Sequence, residues 1–284
     1  MKAIARRTVT VGIAGVVVTG VLLTSLWALQ RSLIYLPDAS DPGPAAAHVP
    51  GGRDVTLTTS DGLELTAWLI PPRREAARNI AVLYAPGNGG NRAGRIPIAI
   101  RLADRGFTVL LLDYRGYGGN PGSPSEEGLA ADALAAADAL EAEGFAPERT
   151  IYLGESIGTG VVARLHAVRP PAGVLLRSPF PDFAQVAAHH YPFVPVRLLL
   201  RDRFPSVTYL RDSPVPVAVV YGTADTIVPP ELSRQVAAAT GNLVEERALE
   251  AVGHNDPAMF GAPIVDVMER LADRTVGGAS CRTG

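Results

Sequence analysis

Lysine is almost absent: of the 26 basic residues, every one but Lys2 is arginine. A Walker-type phosphate loop, which needs lysine beside its glycines, is thereby excluded. Cysteine is as scarce. Cys281 stands alone, so an intrachain disulfide and a cysteine-based metal cluster are both ruled out. Excess positive charge is missing too; a formal net charge of −2 gives no electrostatic reason to expect nucleic acid as a partner. What the chain does have is length and apolar content. Its 284 residues, 47% of them hydrophobic, suffice for one large domain and fall short of two comfortable ones.

Charge is also missing locally. Residues 8–29 contain no charged side chain, and Lys2, Arg6 and Arg7 precede them. At ~1.5 Å per residue, a helix over this stretch reaches ~33 Å and crosses a bilayer core. The rival reading is a cleaved signal peptide, which calls for a shorter apolar region and a small-x-small site just beyond it. Here the flank is Gln30-Arg31-Ser32-Leu33, without such a site. Residues 1–30 are therefore expected to form a retained signal-anchor. Basic residues precede the span, while Asp38 and Asp41 follow it. The positive-inside rule then puts the N-terminus in the cytoplasm and the rest of the chain outside it, a single-pass topology.

Residues 31–52, rich in Pro, Ala and Gly toward their end, read as a tether. From 53 to 276 short apolar strands alternate with helices. Segments 54–59 and 63–70 flank the turn Ser60-Asp61-Gly62 as a hairpin. Strands follow near 79–84, 107–112, 150–153, 173–176, 215–221 and 243–249, with helices between them. This pattern predicts an α/β domain: a mostly parallel sheet of about eight strands with helices on both faces. The proline-rich stretch at about 179–214 reads as a small lid, and residues 277–284 as a disordered tail.

The chemistry-bearing motif is Gly154-Glu155-Ser156-Ile157-Gly158, at a strand-to-helix junction. A serine there sits on a sharp turn, with flanking glycines that let strand and helix approach closely. Its hydroxyl is a weak nucleophile and needs a base oriented by an acid. In that chain order come Asp225, just past a strand, and then His254 in Gly253-His254-Asn255-Asp256. The expected triad is Ser156, Asp225 and His254. The oxyanion is expected to rest on the backbone N–H groups of Ile157 and of Asn88, in Pro86-Gly87-Asn88-Gly89-Gly90-Asn91. Asp113 precedes the nucleophile and reads as structural, and Asp256 as a helix cap. His189 and His190 are adjacent rather than at metal-ligand spacing; His48 and His166 read as ordinary.

These pieces together resemble the membrane-anchored α/β-hydrolase-domain proteins, in the serine aminopeptidase-like and depalmitoylase-like branch. The resemblance rests on the run Gln30 to Pro37, on Gly87-Asn88-Gly89-Gly90-Asn91, and on Asp113-Tyr114-Arg115-Gly116-Tyr117-Gly118 with Pro124-Ser125-Glu126. It is completed by Gly154–Gly158, Ser178-Pro179-Phe180 and Gly253-His254-Asn255-Asp256. It implies the α/β-hydrolase fold and a serine hydrolase acting on esters, thioesters or amides, with neither metal nor organic cofactor. One position departs from the pattern: Pro86 stands where the family has histidine. The expected activity is that of an esterase or lipase on a small-molecule or lipid-like acyl substrate, with the apolar lid residues Tyr191–Val196 and Leu198–Leu200 either offering an acyl site or packing the lid onto the core. The alternatives are a serine aminopeptidase-like enzyme and a catalytically silent, membrane-tethered binding protein. Oligomeric state is not legible.

Overall fold

The computed structural model describes residues 2–73 and 77–276; the tail expected at 277–284, with Cys281, lies outside them. Helix α1 (Lys2–Ile34) opens the chain, followed by the two-residue strand β1 (Leu36–Pro37). The sheet then begins with β2 (Arg53–Thr58) and β3 (Glu64–Ile70) and continues through β4 (Ala81–Ala85). The short β5 (Gly89–Gly90), α2 (Ile96–Asp104), β6 (Thr108–Leu111) and α3 (Glu126–Ala142) come next. Then β7 (Thr150–Glu155), α4 (Ile157–Val168) and β8 (Gly173–Arg177) complete the centre. Three short helices, α5 (Phe183–His190), α6 (Val196–Leu199) and α7 (Ser206–Leu210), precede β9 (Val217–Gly222). The chain closes with α8 (Pro230–Ala239), β10 (Leu243–Leu249) and α9 (Ala262–Thr275).

Eight strands form one sheet in the order β10-β9-β8-β7-β4-β6-β3-β2. All neighbours run parallel except β3, which is antiparallel to both β2 and β6. The central strand β4 shows why. Every residue of Ala81-Val82-Leu83-Tyr84-Ala85 is buried, as a strand covered on both faces requires. Leu83 points into one core layer with α3 and α4 side chains, while Val82 and Tyr84 point into the other, with α2 and α9. The helices obey local rules: Ser125 caps α3 by accepting from Gly128 N–H, with Glu126 and Glu127 in its first turn.

The architecture expected from the sequence is thus present, hairpin included. The stretch 31–52 differs from a free tether. Helix α1 runs on to Ile34, Tyr35 is buried, and Ala45 and Val49 sit in the core layer around Trp68. Apolar side chains among the prolines hold this segment down, because burying them offsets the ordering of a short loop. In α1, residues Gly12–Ile34 are long and apolar enough to cross a membrane; this length and composition fit an anchor or a signal sequence.

Candidate active site

The strand β7 ends at Glu155 and the helix α4 begins at Ile157, so Ser156 alone makes the turn. It does so at φ 52° and ψ −117°, a left-handed conformation costly for a residue with a side chain. The flanking glycines are required by space. A Cβ on Gly158 would lie 2.2 Å from the Ala85 carbonyl oxygen, and one on Gly154 would lie 2.6 Å from the Gly158 carbonyl oxygen. Helix α4 thus approaches β4 and β7 closely, and Ser156 is lifted above the carboxyl ends of the strands.

Asp225 and His254 come from loops after β9 and β10. His254 Nδ1 lies 2.7 Å from Asp225 Oδ2. The same carboxylate accepts from Ser178 Oγ at 3.0 Å and, through Oδ1, from the N–H groups of Ile227 and Val228 at 2.9 and 2.8 Å. Burial works to raise the Asp225 carboxyl. The His254 hydrogen bond and charge, with the Val228 and Ser178 bonds, outweigh it and hold the group below its ordinary value. Asp225 is therefore an ionised acceptor that fixes one face of the imidazole. Ser156 Oγ makes no hydrogen bond among the described residues, so the serine and the His254–Asp225 pair share one end of the sheet without being joined there.

The loop after β4 carries Asn88. Its N–H and that of Ile157 are engaged by no acceptor among the described residues, while the Asn88 carbonyl is held from two sides, by Leu36 N–H at 2.9 Å and Tyr117 Oη at 2.8 Å. Pro86 keeps its place because Tyr114 Oη donates to its carbonyl at 3.0 Å. Asn88, Ser156 and Ile157 line one cavity of about 350 Å³. Its other walls are mostly apolar, with Phe183, Val186 and Val194 of the lid region and Leu26, Leu33 and Ile34 of α1, and include the polar side chains of Gln30 and His190.

Beneath the serine lies a network that sequence reading missed. Glu155 is fully buried, with Oε1 at 2.8 Å from Arg95 Nη2 and 2.9 Å from Arg177 Nη2. The Arg177 contact is a charge contact, since Nη2 lacks the alignment for a hydrogen bond. Tyr84 Oη donates to Oε2 at 2.6 Å. Burial would raise the Glu155 carboxyl, but the two guanidinium charges win and hold it well below the carboxylate range. Each arginine then reaches a functional loop: Arg95 Nη1 donates to the Gly89 carbonyl at 2.9 Å, and Arg177 Nη1 to the His254 carbonyl at 3.0 Å. The signal was in plain view, as an acid at the variable place of the pentapeptide.

Of the remaining candidates, Asp113, Asp256, His48 and His166 make structural contacts, while His190 also lines the cavity with Ser156. Asp113 is buried against Arg92 at 2.8 Å. Asp256 caps the turn Pro257–Phe260, one element earlier than the last helix. His190 bonds the Ile227 carbonyl, His48 that of Pro42 and His166 that of Ala163. No group of three metal-capable side chains occurs among the described residues.

Known proteins agree with this architecture. A family model for the alpha/beta hydrolase fold matches residues 80–193. An uncharacterized protein of Mycobacterium tuberculosis is 43% identical over 267 residues, which cover 93% of this chain and 94% of its own. A lysophosphatidylserine lipase of Danio rerio is 32% identical over 178 residues, 55% of this chain and 46% of its own. Among solved structures, an esterase of Pyrococcus furiosus overlays with a TM-score of 0.67 at 17% identity, covering 86% of this chain and 97% of that one; at such identity the likeness speaks to fold. With a relative matched along nearly its whole length and a family model over the strands and turns that carry Asn88 and Ser156, the chain belongs to the α/β-hydrolase family.

Proposed function

We propose that the protein is a membrane-anchored serine hydrolase that cleaves a carboxylic ester, thioester or amide, with esters of apolar acyl groups favoured. The observation that carries this reading is the strained turn at Ser156, set at the same sheet end as an imidazole hydrogen-bonded to a buried carboxylate. His254 Nε2 takes the Ser156 proton as Oγ attacks the acyl carbon. The N–H groups of Asn88 and Ile157 receive the oxyanion. The bond to the leaving group then breaks, His254 returns the proton to it, and a Ser156–acyl ester remains. Water enters, gives its proton to His254 and releases the acid, restoring the serine. Asp225 holds the imidazole tautomer and stabilises its charged form. Binding of substrate closes the gap between Ser156 and His254, as catalytic hydrogen bonds tighten in the reacting complex.

The mostly apolar lining of the cavity, which carries no acidic side chain, supports an acyl group over a charged amino terminus. A retained anchor is favoured over a cleaved signal for a structural reason. Leu26, Leu33 and Ile34 belong to the cavity wall, and cleavage beyond Ile34 would remove it. The basic residues before the span support a cytoplasmic N-terminus and an extracytoplasmic catalytic domain.

A fluorophosphonate probe tests the reading. Labelling is expected on the wild-type protein and lost in Ser156→Ala; unlabelled wild type, or undiminished labelling of the variant, refutes it.

A further inference from the structure

The span of α1 does not end before the catalytic domain begins; its last turns are built into the site. Gln30 clamps the lid, donating to the Leu199 carbonyl at 3.1 Å and accepting from Arg201 N–H at 2.7 Å. Arg31 makes a two-pronged contact with buried Asp202, at 2.9 Å on each oxygen, and Tyr35 Oη adds a third bond at 3.0 Å. The Arg201 guanidinium lies over the Trp27 ring. Beyond the helix, β1 pairs in parallel with β5, and Asn88 Nδ2 donates to the Ile34 carbonyl at 2.6 Å. The helix end is thus fixed both to the lid and to the loop that carries Asn88.

The same turns face the cavity. Leu26, Leu33 and Ile34 form one side of it, the lid forms the other, and Ser156 lies at the bottom. Leu33 also remains 62% exposed and Tyr191, across the opening, 63% exposed, so these residues mark the mouth. Beside that mouth the lid presents Phe193 and Leu198, 98% and 87% exposed. Large apolar side chains gain free energy on leaving water. Here the water they would leave is replaced by whatever surrounds α1. The 23 residues Gly12–Ile34 span ~35 Å as a helix against ~30 Å of hydrocarbon, so the turns from Leu26 onward lie at the outer boundary of a bilayer. A cavity of about 350 Å³ sits at the low end of ligand-pocket sizes, fitting one extended chain.

We propose that the last turns of α1 are a wall of the acyl-binding cavity, and that the acyl chain of a bilayer-resident ester enters from the leaflet through the seam between α1 and the lid, beside Phe193 and Leu198. The proposal rests on the membrane-anchored hydrolase reading above. Chain-length selection then belongs to the anchor as much as to the lid, and the nucleophile meets the carbonyl of a lipid whose head group remains at the surface.

The full-length protein in phosphatidylcholine vesicles tests this with two fluorogenic esters, one long-chain and embedded, one short-chain and water-soluble. The double variant Phe193→Ser/Leu198→Ser is expected to lower the embedded-to-soluble turnover ratio about tenfold, the scale on which small apolar contacts discriminate. Leu33→Trp, which fills the wall, is expected to lower the long-to-short ratio of kcat/KM about tenfold, and Leu33→Ala to shift it the other way. Fluorophosphonate labelling of every variant verifies an intact Ser156. Labelling retained with wild-type ratios throughout overturns this proposal alone; absence of labelling in the wild type overturns the hydrolase reading with it.

Discussion

Glu155→Gln removes one charge and almost no volume, and its consequences follow from where that charge sits. Glu155 is buried between Arg95 and Arg177, at 2.8 and 2.9 Å. At an effective dielectric of about 20, each pair is worth ~4 kcal/mol in gross attraction. Desolvation cancels much of that, and breaking a buried pair by removing one partner costs ~3–5 kcal/mol net. For a domain of this size that lowers Tm by about 10 °C. The loss of activity should exceed what destabilisation explains. Released from Glu155, Arg95 no longer fixes the Gly89 carbonyl beside Asn88, and Arg177 no longer fixes the His254 carbonyl. A displacement near 1 Å of catalytic groups costs about 10²-fold in kcat, with KM moving less because the apolar cavity is untouched. Steady-state kinetics on a soluble ester, with fluorescence-monitored unfolding, measure both effects. Leu110→Ala supplies the control: it opens a comparable ~2–5 kcal/mol defect in the core, away from both loops, and should keep its kcat. If Glu155→Gln loses no more kcat than Leu110→Ala, Glu155 is structural and the positioning role is refuted.

Asp225→Asn should preserve the fold and drop kcat on the order of 10⁴-fold by favouring the wrong imidazole tautomer; a loss under tenfold at neutral pH would assign the acid elsewhere. Burial lifts the Asp113 carboxyl to about 6, against the hydrogen bonds and charge of Arg92. A carboxyl whose folded value lies above its unfolded 3.8 adds stability that is complete below pH ~4 and lost as pH rises through about 6, a change of ~3 kcal/mol. Unfolding midpoints of wild type and Asp113→Asn, which is neutral at every pH, should therefore lie closest at pH ~4 and separate as pH rises to ~7, with the wild type falling relative to the variant; parallel profiles would refute the assignment.

What could be read from the sequence was what local rules determine. Continuous apolar strands such as 81–85 and the alternation with helices specify a covered parallel sheet. The Gly154–Gly158 turn fixes the position of its own serine, and Asp225 and His254 follow from strand ends in a known order. Contacts between distant residues were not legible. Arg31 and Asp202 are 171 positions apart, and nothing near either arginine or aspartate advertises the other. The prolines near residue 45 suggested a leash, yet Tyr35, Ala45 and Val49 are buried, since composition reports turn chemistry and not what packs beneath it. Glu155 stands at the place the turn's pattern leaves free, so nothing in the motif marks its charge as positioning.

The departure at Pro86 looks different once these contacts are known. Loss of a histidine there would matter if the oxyanion loop depended on its side chain for support. Instead the loop is gripped on two flanks that share no residue. From the sheet side, Glu155 holds Arg95, and Arg95 holds the Gly89 carbonyl. From the helix side, Leu36 N–H holds the Asn88 carbonyl, while the Asn88 side chain holds the Ile34 carbonyl. Tyr114 and Tyr117 close the remaining carbonyls of Pro86 and Asn88. With the Pro86, Asn88, Gly89 and Gly90 carbonyls engaged, the loop has little freedom to turn, and the Asn88 N–H is left without an acceptor among the described residues. Order at this position therefore comes from backbone pairing and a buried charge network, and one of the two flanks is the end of the long apolar helix α1.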